Sequence, residues 1–264
     1  MRRQLRMSWF ELRQFASVPY FAQLMTVATL TAVVTQALAW HAWGGDPAVL
    51  WVRGGVIGMW TVSTCAAGIL GFERYKGTLV YLVSGRIDPR RPLAAVVGAV
   101  STFGLAAMPL AWAVWWALTG TTGVSPAQAP RLIGGTLLLW VACLSVAFVI
   151  ATVFVLTPNA ISYESLLLTP VLIASGMLFT RSDTPSWLRP IAMIMPIHWP
   201  IAILLGVPSA DHGIAGRLDA TAPWPLWADA GIGLMVSAIW MAAAWRLGRM
   251  VLDRACRDAT LEVI

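Results

Sequence analysis

Long apolar stretches separated by short polar segments dominate the chain. Each holds about 20 residues, the length that a helix needs to cross roughly 30 Å of hydrocarbon. They run about Val18–Trp40, Trp51–Phe72, Leu93–Leu118, Leu132–Leu156, Ser162–Phe179 and Leu226–Leu247. The pattern predicts an all-α polytopic membrane protein with six transmembrane helices.

The first 17 residues follow an amphipathic pattern instead. Helical spacing places Leu5, Trp9, Leu12 and Ala16 on one face, opposite Arg3 and Gln14. The pattern predicts an interfacial helix over residues 1–17 that meets the cytosolic membrane surface through Arg3, Arg6, Trp9 and Arg13. The alternative is a frayed basic tail that serves only as a topology signal.

The stretch 185–208 is apolar but interrupted by Pro190, Pro196, Pro200 and Pro208. Proline removes a backbone donor and kinks or ends a helix. A full crossing here would give seven spans and move the four arginines of the C-terminal tail outside. We therefore predict a pair of short, broken outer re-entrant helices between spans five and six.

Charge and tryptophan fix the expected orientation. Only 11% of the residues are charged and 58% are hydrophobic, whereas soluble domains carry about 25% charged residues. Six spans with both termini cytosolic put 13 of the 18 basic residues inside, leaving Arg53, Arg131, Arg181, Arg189 and Arg217 outside. This bias obeys the positive-inside rule, and most tryptophans fall at the outer ends, as in an interfacial aromatic belt.

The chain lacks the motifs of several enzyme classes. Its one lysine, Lys76, follows Tyr75, so there is no Walker A loop to hold ATP. His41, His198 and His212 show no zinc-ligand spacing and are predicted to be interfacial or loop residues outside the membrane. Glu164 and Asp229 lie near span boundaries, where water or a headgroup would solvate them, so no mid-membrane acid supports a proton-driven carrier. We expect no metal or cofactor on this chain and no nucleic acid partner.

A charged segment, Glu73-Arg74-Tyr75-Lys76-Gly77-Thr78, follows the second apolar stretch directly. Together with Leu79 it resembles the "E-R-x-x-G-T-L" stretch of the ABC-2-type exporter permeases. The segments Ser175-Gly176-Met177-Leu178-Phe179, Pro185-Ser186-Trp187-Leu188-Arg189 and Met195-Pro196 resemble the outer turn of that family after its fifth span. The amphipathic N-terminus, the six spans and the length also match.

The resemblance implies one ABC-2-type transmembrane domain over residues 1–264, the membrane subunit of an ABC exporter. Two permeases, two copies of this chain or one with a sister permease, would pair in the lipid bilayer. Two ABC ATPase subunits, which carry the ATP and Mg²⁺, would bind from the cytosol. Residues 73–91 would form the coupling segment, with Glu73, Arg74, Lys76, Gly77 and Thr78 contacting the ATPase. The alternative is an ordinary basic cytosolic loop.

Polar residues within the spans are candidates for the translocation pathway. The set is Gln23, Thr26, Thr29, Gln36, Thr61, Thr64 and Thr169. In the resembled family, spans one, two and five border the dimer interface and the route. The alternative is that these hydroxyls bond to carbonyls of their own helices or join neighbouring helices.

We expect a multi-pass subunit of a bacterial plasma membrane that exports an amphipathic or hydrophobic cargo: a drug, a lipid-like molecule or a peptide. Two other functions stay open at this point. One is a secondary carrier or channel, and the other is a membrane-embedded lipid-modifying enzyme.

Overall fold

The computed structural model of the chain describes residues 2–75, 90–121, 124–156, 169–171, 173, 175, 187–206 and 226–257. Nine α-helices have defined bounds within these residues, and the prediction of an all-α protein is confirmed for this part. They are α1 Arg2–Ser17, α2 Pro19–Trp43, α3 Pro47–Tyr75, α4 Arg90–Gly104, α5 Ala107–Thr119, α6 Ala129–Leu156, α7 Leu188–Ile194, α8 His198–Leu205 and α9 Leu226–Arg257.

The number of predicted spans is only partly supported. In the described part, four stretches are long and apolar enough to cross a membrane, or five if α7 and α8 together form one span. The four are Pro19–Trp43, Arg90–Thr119, Pro126–Phe154 and Trp227–Val251. α3 is not among them, although its length of about 43 Å would suffice. The predicted fifth span, Ser162–Phe179, falls mostly outside the described residues, so six spans are not confirmed.

A tight turn joins α2 to α3. Pro19 opens α2, where its fixed φ suits the first helical turn. Gly44 and Gly45 follow the helix with φ of +75° and +123°, angles that side chains other than glycine rarely adopt. The N–H of Gly44 donates to the carbonyl of Trp40 at 2.8 Å and closes the helix end. The turn is short, so α2 and α3 form a hairpin whose helices pack along each other.

The third predicted span is broken in its middle. α4 ends at Gly104 and α5 begins at Ala107, whereas the sequence predicts one helix over Leu93–Leu118. Pro109 explains the break, because its ring clashes with the carbonyl four residues earlier and it has no N–H to donate there. At the break the N–H groups of Leu105 and Ala106 donate to carbonyls three residues back. The two helices still count as one candidate span.

A capping box precedes the fourth span. The backbone N–H of Ser125 donates to Oε1 of Gln128 at 3.2 Å, and the N–H of Gln128 donates to the carbonyl of Ser125 at 2.9 Å. Pro126 opens the 3-10 turn Pro126–Gln128. These bonds satisfy donors that would otherwise be exposed at the helix start, and α6 begins directly at Ala129.

Two short helices lie where the proline-rich stretch predicts broken ones. α7 ends at Ile194 because Met195, directly before Pro196, is extended with ψ 125°, as the residue before a proline prefers to be. α8 follows at an angle of 97° to α7. The outer position of the pair stays a prediction.

The last helix is longer than predicted. α9 extends to Arg257, whereas the hydropathy pattern ends the sixth span at Leu247. A drop in hydropathy marks the edge of an apolar stretch, and a helix with good helix formers continues beyond it.

The central helix of the described bundle is α3, which packs against α2, α4, α5, α6 and α8. Its buried side chains include Val52, Val56 and Met59. α3 is antiparallel to the broken span formed by α4 and α5, because Gly104 at the end of α4 lies against Met59 whereas Met108 of α5 lies against Gly55. α6 and α9 are parallel, since Leu138 lies near Gly233 and Thr152 near Gly248.

One end of the bundle is strongly basic, and we name it the basic end. α3 finishes there, α4 starts there, and α9 approaches its end there. The described arginine side chains at this end are Arg90 and Arg91 of α4 and Arg246 and Arg249 of α9.

Candidate functional site

The candidate coupling site lies between the end of α3 and the start of α4. Glu73 and Arg74 occupy the last turn of α3. Lys76, Gly77 and Thr78, together with the side chains of Glu73 and Arg74, lie outside the described part. Counted from the contact between Met59 and Gly104, Tyr75 lies about 24 Å along α3 and Arg90 about 21 Å along α4. The two helices therefore deliver both ends of the intervening segment to one level, at the basic end.

Glycines set the position of α3 in the bundle. A Cβ on Gly54 would lie 3.3 Å from the Cα of Val33 in α2, and one on Gly58 would overlap the hydroxyl of Thr29. On another side, a Cβ on Gly55 would lie 3.3 Å from the Cβ of Ala111 in α5. Small residues let backbones approach this closely and gain packing contacts along the whole crossing. α3 is thus held from two sides over the half remote from the coupling segment.

The N-terminal helix α1 docks on α4 through a face that the sequence does not mark. Phe15 is buried, stacked on Phe21 with ring centroids 3.7 Å apart and edge-on to Phe103 at 5.5 Å. Ser8 lies beside Gly98 of α4. These contacts fix α1 to α2, which follows it in the chain, and to α4.

The predicted membrane-facing residues of α1 stay on its outside. Trp9 is 69% exposed, and Arg6 and Arg13 are exposed as well. The side chain of Arg3 lies outside the described part. The exposed aromatic and arginine side chains are of the kind that an interfacial helix presents to lipid, and the interfacial position stays a prediction.

Three of the predicted pathway threonines bond to their own helices. The Oγ1 of Thr26 donates to the carbonyl of Ala22 at 2.7 Å, and that of Thr61 donates to Ile57 at 2.9 Å. Thr64 is buried and donates to Trp60 at 3.0 Å. Such bonds satisfy the hydroxyl within an apolar surrounding. These three residues therefore fit the alternative interpretation, in which the hydroxyls bond to carbonyls of their own helices and do not mark a pathway.

The other pathway candidates are spread over different surfaces. Thr29 is fully buried against Gly58, and its Oγ1 has no hydrogen-bond partner among the described residues. Gln23 and Thr169 are exposed, and Gln36 is half-buried. Within one chain the structure therefore does not gather the seven residues on one face, and their role in a pathway stays a prediction.

Two tryptophans hold the bend between α7 and α8, which the sequence does not reveal. The indole N–H of Trp199 donates to the carbonyl of Met193 at 3.1 Å, and that of Trp240 in α9 donates to Ile194 at 3.0 Å. The end of α7 leaves these carbonyls without helical donors. Trp240 lies about 20 Å from the first residue of α9, so the bend reaches into the bundle. The signal in the sequence is weak: tryptophan near a proline break.

His198 and Asp229 are more enclosed than the sequence predicts. His198 opens α8 and is buried, not in a loop, and its Nδ1–H donates to the carbonyl of Ser175 at 3.2 Å. A carbonyl oxygen only accepts, so Nδ1 carries the proton. Asp229 is fully buried in the first turn of α9, where the helix dipole favours a carboxylate. Among the described residues, no group of histidine, cysteine and acidic side chains could hold a metal ion.

One comparison with known proteins identifies a family. The family model described as ABC-2 type transporter matches residues 4–207, which include most of α1, all of α2 to α8 and well over half of the chain. No curated protein and no solved structure matched. The match confirms the resemblance found in the sequence. The chain thus belongs to the ABC-2 type transporter family, as a membrane permease component that is not itself an ATPase and that associates with an ABC ATPase.

Proposed function

We propose that this permease exports an amphipathic or hydrophobic cargo across a bacterial plasma membrane, as a dimer with a second copy of itself or with a sister permease. Both termini and the basic end face the cytosol. Two ATPase subunits, which bind ATP and Mg²⁺, dock on residues 73–91. The observation that carries this proposal is that α3 and α4 bring both ends of that segment to one level, beside α3, the central helix of the described bundle. Neither a carrier nor a lipid-modifying enzyme requires this arrangement.

The movement that the ATPase transmits to the permease starts at the coupling segment and passes along α3. Closure of the ATPase dimer pushes on Glu73 and its neighbours. Since α3 is continuous from Tyr75 back to Pro47, a push at one end moves the other. The glycine contacts with α2 and α5 make these helices follow, because close-packed interfaces move as units and deform little. The permease half therefore rocks as a body.

The character of the interior supports an apolar cargo. Of the acids and arginines whose side chains the structure describes, Asp229 is buried, and it lies near the end of the bundle opposite the basic end. The buried surface of the spans otherwise consists of aliphatic, aromatic and hydroxyl side chains. A ring of charge, which would favour an ion or a strongly polar solute, is not present among these residues.

The test replaces the coupling residues. Glu73→Ala and Gly77→Pro should each reduce co-purification of a co-expressed ABC ATPase from the same organism, or uncouple its stimulated ATP hydrolysis, while membrane insertion persists. Asp46→Ala is the matched control, because Asp46 immediately precedes the opposite end of α3. Full binding and full stimulation in both variants would overturn the assignment. Gradient-driven transport by the purified permease without any ATPase would overturn the source of energy.

A further inference from the structure

Four arginines and one exposed tryptophan lie where α4 and α9 meet at the basic end, and we name this surface the arginine patch. Arg90 and Arg91 begin α4, and Arg246 and Arg249 belong to α9. Trp245 lies between them and is 38% exposed. Arg91, Arg246 and Arg249 are exposed, and Arg90 is half-buried.

The tryptophan at the centre of the arginine patch is held in place. The guanidinium carbon of Arg90 lies 4.6 Å from the centroid of the Trp245 ring, in a cation–π contact. Phe148 of α6 packs near the same ring, with centroids 6.1 Å apart. Gly248 leaves room for the stem of Arg90, whose Cγ would lie 3.7 Å from a Cβ at that position. Three helices therefore fix the position of Trp245 and Arg90.

Helix geometry places the remaining charges beside this pair. Residues four apart lie on the same face of a helix, so Arg249 lies one turn beyond Trp245 on the side of α9 that meets α4. Arg246 follows Trp245 directly. The charged side chains that the structure describes in the first turn of α4 and over residues 245–251 of α9 are these four arginines.

The surface next to the charges is apolar. Met250 is 61% exposed and adjoins Arg249 in the chain. Upstream on α9, Leu234, Met235 and Ile239 are exposed as well. A soluble anion would use the guanidinium groups and leave this apolar surface in water. An anionic phospholipid would use both, since its phosphate meets arginine and its acyl chains run along α9.

We propose that the arginine patch binds the headgroup of an anionic phospholipid from the surrounding bilayer, with the phosphate between Arg90 and Arg249 and the acyl chains beside α9. The proposal rests on the proposed orientation, which places the basic end at the cytosolic leaflet. Arg91 and Arg246 add long-range attraction, and Trp245 sits at the boundary between headgroups and acyl chains, as tryptophan prefers.

Native mass spectrometry of the full-length permease in detergent tests the proposal, with phosphatidylglycerol and phosphatidylcholine as the probes. We expect the permease to retain phosphatidylglycerol in preference to phosphatidylcholine. The double substitution Arg246→Gln with Arg249→Gln should weaken phosphatidylglycerol binding about 10- to 30-fold. Each arginine near an anionic lipid surface contributes roughly one order of magnitude or less to the binding constant. Arg246→Lys with Arg249→Lys should keep most of the affinity. Arg189→Gln, which removes an exposed arginine on α7, should have no effect.

Three results would overturn the proposal. One is equal retention of the two lipids, and another is unchanged binding in the double glutamine variant. The third is full competition by millimolar inorganic phosphate, which would mean an anion site without a lipid. The measurement needs no ATPase, so loss of coupling in the Glu73 variants and loss of lipid in the arginine variants are separate outcomes.

Discussion

Two parts of this permease solve the problem of helix packing in a membrane in opposite ways. α3 is long and unbroken. It approaches its neighbours closely at glycines, which have no side chain to keep the helices apart. The pair α7 and α8 is short and broken by proline, and it is held by indole groups that donate to exposed carbonyls. The first part needs no polar group because its backbone is already satisfied within the helix. The second needs donors from its neighbours, because the end of α7 leaves carbonyls without helical partners. A stiff element is therefore built by close contact, and a bent one by directed hydrogen bonds.

The largest loss of stability should come from placing a side chain at Gly58, where α3 contacts its neighbouring helices. Gly58→Leu would push a side chain into Thr29 and Ala107, the latter 3.1 Å from the new Cβ. We expect the free energy of unfolding to fall by about 1–3 kcal/mol, as in other overpacked interiors. Thermal unfolding in detergent measures the change.

Gly134→Leu is the matched control for this comparison. Gly134 lies inside α6, and nothing lies within 4 Å of a Cβ built there. Both substitutions raise helix propensity equally. The difference between their free energies of unfolding therefore reports the close contact at Gly58. Equal stability of the two variants would show that α3 is not held by close packing.

A smaller effect should follow from removing a donor at the bend. Trp240→Phe keeps an aromatic ring but leaves the carbonyl of Ile194 without its 3.0 Å partner. We expect a loss of about 1 kcal/mol, the typical contribution of one such hydrogen bond, and faster proteolysis or hydrogen exchange around α7.

Trp227→Phe serves as the control for the indole. Trp227 begins the same helix and is 77% exposed, so its loss should leave the bend intact. If both variants lose the same stability and show the same exchange, the bend does not depend on the bond from Trp240.

The smallest effect concerns the threonine at the glycine contact. Thr29→Val keeps the shape of the side chain and removes a buried hydroxyl that has no hydrogen-bond partner among the described residues. Because no bond is lost, we expect the free energy of unfolding to change by less than about 1 kcal/mol, with ATP-dependent transport unchanged.

Transport by this variant sharpens the interpretation of α2. If Thr29→Val remains stable but loses transport, the hydroxyl serves cargo passage and the predicted pathway role gains support. Gln23→Leu is the companion variant, because Gln23 lies on the same helix and is exposed. If only Gln23→Leu loses transport, the face of α2 that contacts the cargo is its exposed side.

Much of the architecture follows from the sequence alone. Apolar stretches of span length predict a membrane protein, because they match the thickness of the hydrocarbon core and the chain carries far fewer charged residues than soluble domains do. The prolines at 190, 196 and 200 predict broken helices, since proline is tolerated in the first turn of a helix but interrupts its interior. The charged motif that starts at Glu73 and the later segments from Ser175 to Pro196 together give the resemblance to the family, because residue order and spacing along the chain are local properties.

Only the tertiary structure decided which face of each helix packs against its neighbours. The sequence marks Trp9 as the key aromatic of α1, whereas the residue that docks on the bundle is Phe15. It groups Thr29 with a possible pathway, whereas Gly58 of another helix encloses it. It gives no sign that Trp240 reaches a carbonyl 46 residues away. Hydropathy and helical period depend on neighbours along the chain, but burial and hydrogen-bond partners depend on helices that meet only after folding.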